Sequence, residues 1–230
     1  MNKKILSILG GVLIIFVFQS CVSKPEKTLL KRYFDAISLN DITTMSTMAL
    51  EPVLIDEESW EIISVSEEII EPAKLPEMDA KEKELKKKLE ESVGVVLDAR
   101  DDVDDAKFEL ESARTRAAKR AMQKKVEELQ AKYDEIYEKH KNLQKEYNEA
   151  KAAAAREEEI ATFSLGAEEL PTIRDFTGDV HYKEVEVAVK NKEGEKKNHK
   201  FYLRKYNLKD ESLNINHRGR WIITKIEALS

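Results

Sequence analysis

Four histidines and one cysteine are the side chains of this sequence best suited to chemistry, and their placement argues against most of it. His181, His199 and His217 fall on segments that read as strand or loop, with no fixed interval to a carboxylate. A histidine in such a place is more often exposed or structurally hydrogen-bonded than catalytic. His140 lies within a heptad pattern and has no second metal ligand at helical spacing, so it reads as a packed polar residue that sets register. Tyr33, Trp60, Phe201, Tyr202 and Trp221 are candidates for lining a cavity, although an aromatic on a strand or helix is ordinarily core. There is no serine elbow, phosphate loop, CxxC or HExxH. The residues give no ground for assigning an enzyme, a cofactor or a metal centre.

Electrostatics offers more. The stretch ARTRAAKRAMQKK carries Arg114, Arg116, Lys119, Arg120, Lys124 and Lys125 and no acid. Just before it, DARDDVDDAKFELE is strongly acidic. A purely basic cluster beside such a segment is a candidate contact surface for an acidic protein patch, a cell-wall polymer or anionic lipid headgroups.

The first residues suggest where that contact would take place. MNKK is followed by the apolar run ILSILGGVLIIFVF, shorter than the roughly 20 residues of a membrane span and suited to a signal-peptide core. FQSC then ends in Cys21, the sole cysteine, which excludes an internal disulfide framework. FQSC resembles the lipobox of bacterial lipoproteins: Ser20 fits the small residue before the cysteine, while Phe18 and Gln19 depart from the usual aliphatic and small residues. The resemblance implies that residues 1–20 are a signal peptide, that Cys21 is the lipid attachment site, and that residues 21–26 form a short tether. It places the protein on the periplasmic or extracellular side of a bacterial membrane. Loss of residues 1–20 removes Lys3 and Lys4 from 39 basic side chains and none of 45 acidic ones, leaving a formal charge of −8. A chain so acidic is no natural nucleic-acid binder.

The elements that position the basic cluster are helical. Residues 77–160 contain no proline, one glycine, and dense Ala, Glu, Lys and Leu. Leu85, Leu89, Ser92, Val96, Ala99, Val103, Ala106, Leu110, Ala113 and Ala117 alternate in steps of four and three. Met122, Val126, Leu129, Tyr133, Ile136, His140, Leu143, Tyr147, Ala150 and Ala154 do the same. Each series is a heptad seam, and the step between Ala117 and Met122 breaks it. An insertion must return to the domain it left, so the pattern predicts two antiparallel arms folded at that break. In that register Ala99 meets His140 and Ser92 meets Tyr147. An uninterrupted helix that pairs with another molecule is the alternative.

The flanking residues 27–76 and 161–230, roughly 120 in all, suffice for one interrupted domain with its own core. Leu29, Leu30, Tyr33, Phe34 and Ile37 have helical spacing, and Asp41 can cap a second helix bearing Ile42, Met45 and Met48. SWEIISVSEEII reads as a strand, HYKEVEVAVKN and HKFYLRKY as a hairpin turning at Gly194, and GRWIITKIEAL as a last strand. Val185, Val187 and Val189 alternate as one face of a half-buried sheet should. RYFDAISLND, WEIISV and RWIITKI in this order resemble the nuclear-transport-factor-two-like (cystatin-like) superfamily. The resemblance implies an α+β fold: a cone-like curved antiparallel sheet with covering N-terminal helices, here interrupted by a long antiparallel coiled-coil hairpin. That superfamily holds both enzymes and binding modules, so fold alone does not choose a function.

The expected function is a membrane-anchored, non-catalytic envelope lipoprotein, a binding or scaffold module whose hairpin tip meets another envelope component. A small-ligand binder or enzyme using the cone cavity, and a periplasmic adaptor of an export complex, are the alternatives. No lipoyl-like half-motifs flank the hairpin to favour the adaptor.

Overall fold

A computed structural model describes residues 24–166, 170 and 172–229. Cys21 and the segment read as a signal peptide lie outside the described residues. Helix α1 (Pro25–Ser38) opens with proline in its first turn, where the missing N–H costs nothing. It buries Leu30, Tyr33, Phe34 and Ile37, the stripe that the spacing anticipates. Asn40 turns the chain at φ 54°. Asp41 then caps the short helix α2 (Ile42–Ser46) by accepting from the Thr44 amide at 3.0 Å.

Six strands form one curled antiparallel half-barrel sheet: β1 (Ser59–Val65), β2 (Ile69–Pro72), β3 (Thr177–Lys190), β4 (Lys196–Asp210), β5 (Ile215–Arg218) and β6 (Ile222–Leu229). The long β3–β4 hairpin is its spine and turns at Gly194, whose φ of 88° favours glycine. β1 and β2 pair with the free edge of β3, and β5 and β6 with that of β4. SWEIISVSEEII therefore forms two strands instead of the single one expected. Pairing with β3 shifts register between Ile62 and Ser64, and Ser66 exchanges hydrogen bonds with the backbone of Glu184, turning Glu67 and Glu68 out of the ladder. β5 and a 3-10 turn at Ile173–Asp175 have no counterpart in the sequence reading.

The alternation of β3 and β4 buries both faces of the sheet. One face carries Val185, Val187, Val189, Phe201 and Leu203 against α1 and α2. The other carries Val180, Tyr206 and Leu208 against Leu75, Ile160, Ala161, Ile173 and Phe176. The second core is supplied by the roots of two long helices, α3 (Leu75–Ser112) and α4 (Arg116–Leu165). They start earlier and end later than the 77–160 segment because Leu75 and Ala161 are needed beneath the sheet. Ser164, fully buried near the end of α4, donates to the Arg220 carbonyl and accepts from the Tyr206 amide, pinning the helix to β4. Gly166 closes α4 in the left-handed conformation at φ 68°.

Helices α3 and α4 pack antiparallel as a hairpin-like pair. Leu85, Ala99, Val103, Ala106 and Ala154 are buried, and the other expected seam positions are half-buried except Ala117, which is exposed. Two expectations are corrected here. The chain reverses at Ala113–Thr115, not between Ala117 and Met122: Ala113 leaves helical geometry at ψ 124°, and the Thr115 hydroxyl caps α4 by accepting from the Ala118 amide at 3.1 Å. The earlier turn moves the pairing by one heptad. His140 faces Ser92, with Nδ1 2.7 Å from Oγ, instead of facing Ala99. The Ser92 hydroxyl already donates to the Leu89 carbonyl, so it accepts from His140 Nδ1–H. Glu109 and Lys125, 2.8 Å apart, fix the same register near the tip.

Candidate functional site

The basic cluster surrounds the turn between α3 and α4, and its six cations are not equivalent. Arg114 lies in the turn, Arg116 opens α4, and Lys119 and Arg120 complete its first turns. None of these four makes an ion pair among the described residues. Lys125 is engaged with Glu109, and Lys124 lies 3.7 Å from Glu128 in a more exposed i,i+4 pair. No acid occupies the first turn of α4, although the amide end of a helix favours negative charge by about 0.3–1 kcal/mol per group. The cations there oppose the helix dipole.

A second polar assembly lies where α1 begins, on the face of the sheet that α1 covers. His181 Nδ1 is 2.5 Å from Glu68 Oε1, and the Asn207 amide nitrogen is 2.8 Å from Nε2. A carboxylate accepts and an amide N–H donates, so Nδ1 carries the proton, Nε2 is the acceptor, and both ring nitrogens are spoken for. Burial pushes the Glu68 carboxyl up, but hydrogen bonds from His181 and Lys183 outweigh it and hold Glu68 below its ordinary range. Lys183 is shared between Glu68 and the buried Glu26 of α1. His217 stacks on Phe176, and burial lowers the pKa of His199. The arrangement orients side chains; it leaves His181 no free nitrogen for proton transfer.

The five candidate cavity residues separate. Tyr33 and Phe201 are fully buried and edge-to-face at 6.1 Å, filling the core. The Tyr33 hydroxyl donates to the Val53 carbonyl and accepts from its amide. Trp60 stacks on Phe34 at 4.7 Å and borders a cleft of about 670 Å³ between α1 and β1. Tyr202 points to the opposite face of β4 and donates to Glu227. Trp221 borders a different cleft, of about 560 Å³, together with Leu29, Arg32, Met48, Lys205 and Arg220. Those neighbours come from α1, the residues after α2, β4 and the β5–β6 turn, so no local pattern in the sequence could single them out.

Among the described residues no three His, Cys, Asp or Glu side chains are grouped to hold a metal ion, and no helix is long and apolar enough to cross a membrane. No protein-family model matches the chain, and no curated protein or solved structure matches it either.

Proposed function

We propose that the protein is an exported lipoprotein, anchored through Cys21, that acts without catalysis as a binding or scaffold module of the cell envelope. In this reading the sheet and its covering helices form a cone-like domain held at the membrane. The antiparallel coiled-coil hairpin carries its basic tip to an acidic protein surface or an anionic envelope polymer.

The observation that carries the reading is the placement of Arg114, Arg116, Lys119 and Arg120. Phe163 at the root of α4 supports Arg220, which shares a cleft with Pro25 at the start of α1. From Phe163 to Arg116 the helix spans about 70 Å at 1.5 Å per residue. Four cations without acidic partners among the described residues therefore stand at the far end of the arm from this root, and Arg116 and Lys119, in the opening turn of α4, lie where positive charge is unfavourable. An acidic partner would reverse that cost.

The test is co-purification from membranes with Arg114, Arg116, Lys119 and Arg120 all replaced by Gln. Partner recovery is expected to fall for the variant, and for the natural protein as salt rises past about 0.15 M, where the screening length drops below about 8 Å. Helix content should stay constant. Recovery unchanged by both treatments would refute a contact role for the tip. Mass spectrometry of the mature N-terminus tests the anchor separately: an acylated Cys21 is expected, and an unmodified one would remove the lipoprotein assignment.

A further inference from the structure

The cleft bordered by Trp221 combines features that the tip does not explain. Its charged lining consists of Arg32, Lys205 and Arg220, with no carboxylate, in a chain whose acids outnumber its bases. None of the three makes an ion pair among the described residues. The larger cleft beside Trp60 differs in this respect, because Glu26, Asp35 and Glu61 share its walls with its lysines. Lys183, which also lies over the Trp221 ring, is already paired with Glu26 and Glu68. Two of the cations are also held in place. The Lys205 ammonium lies 5.2 Å from the Trp221 ring centre, and the Arg220 guanidinium lies 5.3 Å from that of Phe163. Leu29, Met48 and the Trp221 indole supply apolar wall between them.

A site with an apolar wall and two guanidinium forks around one volume suits an amphiphilic phosphate. Arginine matches phosphate oxygens in bidentate fashion, and the apolar wall gains by covering hydrocarbon. Pro25 also borders the cleft. Pro25 lies four positions after Cys21, a reach of at most about 14 Å for an extended chain. We propose that this cleft binds the headgroup of an anionic phospholipid, seating the domain on the membrane in one orientation with the hairpin root held at the lipid surface. The choice of a lipid over a soluble phosphate rests on the tether reading; the anion site itself does not.

The chain has two tryptophans, so Trp60→Phe leaves Trp221 as the only indole reporter. The full-length protein with this substitution, in an uncharged detergent, is titrated with short-chain phosphatidylglycerol, phosphatidylcholine or glycerol phosphate. Phosphatidylglycerol should shift the Trp221 emission saturably, and the other two should bind at least about tenfold more weakly. Arg32→Gln and Arg220→Gln should each raise the apparent Kd by about tenfold, the scale of one charge-assisted contact. Circular dichroism should match the parent in both variants. No saturable shift, an equal response to phosphatidylcholine, or indifference to both substitutions would overturn the site. An equal response to glycerol phosphate would overturn the lipid and leave a soluble phosphate as ligand. Cys21→Ser should not alter the titration in detergent, so failure here and failure of the lipoprotein reading are separable.

Discussion

At the scale of single residues, His199 shows how burial makes a side chain pH-sensitive without making it catalytic. It sits on β4 beside Val189 and Ile55, its Nδ1 buried without a hydrogen-bond partner among the described residues, and burial lowers its pKa from the ordinary 6.5. A histidine whose pKa is depressed by folding binds its proton more readily in the unfolded chain. Its contribution to stability is therefore complete above pH 6.5 and declines as pH falls from 6.5 toward the lower folded-state value. The melting temperature should be flat above this window and decrease within it. His199→Phe should flatten the decrease, leaving the carboxylate-driven loss that begins nearer pH 4.5. A melting profile of the variant parallel to that of the parent between pH 5 and 6.5 would assign the sensitivity elsewhere. His181 has a different environment, held on both nitrogens by Glu68 and Asn207, and its interval in sequence from either partner conveys nothing of that contact.

At the scale of elements, the two long helices show what a heptad pattern specifies. It identifies the buried stripe of each helix, because that stripe depends only on a 3.5-residue period. It is nearly indifferent to sliding one helix past the other by seven residues, since small and large seam residues recur at that interval. The turn chemistry at Thr115, the contact of Ser92 with His140 and the Glu109–Lys125 ion pair remove the ambiguity. Cysteines at Ser92 and His140, in a Cys21→Ser background, should form a disulfide within one chain under mild oxidation. A pair at Ala99 and His140 should not, because one heptad separates them by about 10 Å along the helix. Efficient bridging of the second pair would restore the register expected from sequence, and bridging only between chains would indicate pairing of separate molecules.

For the whole molecule, the sheet is a wall between two cores, and the hairpin is structurally part of the second one. Leu75, Ile160 and Ala161 cover Val180, Tyr206 and Leu208, while Arg174 ties the roots together through Asp79 and Glu82 of α3 and Glu158 of α4. Replacing residues 90–149 by a short linker keeps these roots and should preserve a cooperative melt with a small change in midpoint. Removing 75–165 exposes the lower face of the sheet. At about 1.5–3 kcal/mol for each large side chain uncovered, the loss is comparable to the 5–15 kcal/mol that stabilises a typical domain, so the larger deletion should abolish the cooperative melt. Thermal denaturation followed by circular dichroism distinguishes the two deletions. A cooperative melt for the larger one would show that the root core is dispensable.

The sequence by itself determined what local periodicity and local capping can carry. The Leu30–Tyr33–Phe34–Ile37 stripe of α1, the Asp41 cap, the Val185–Val187–Val189 face and the turn at Gly194 all follow from residues within a few positions of one another. The Thr115 cap was equally legible, but the change in heptad step a few residues later drew the fold point away from it. Tertiary structure alone decided which strand neighbours which, that both faces of the sheet are buried, and that Tyr33 and Phe201 fill a core while Tyr202 faces away. It alone brought Arg32, Lys205, Arg220 and Trp221 around one cleft. Their separation in sequence is long, and contacts of that kind depend on the summed packing of several elements, for which no single stretch holds a signature.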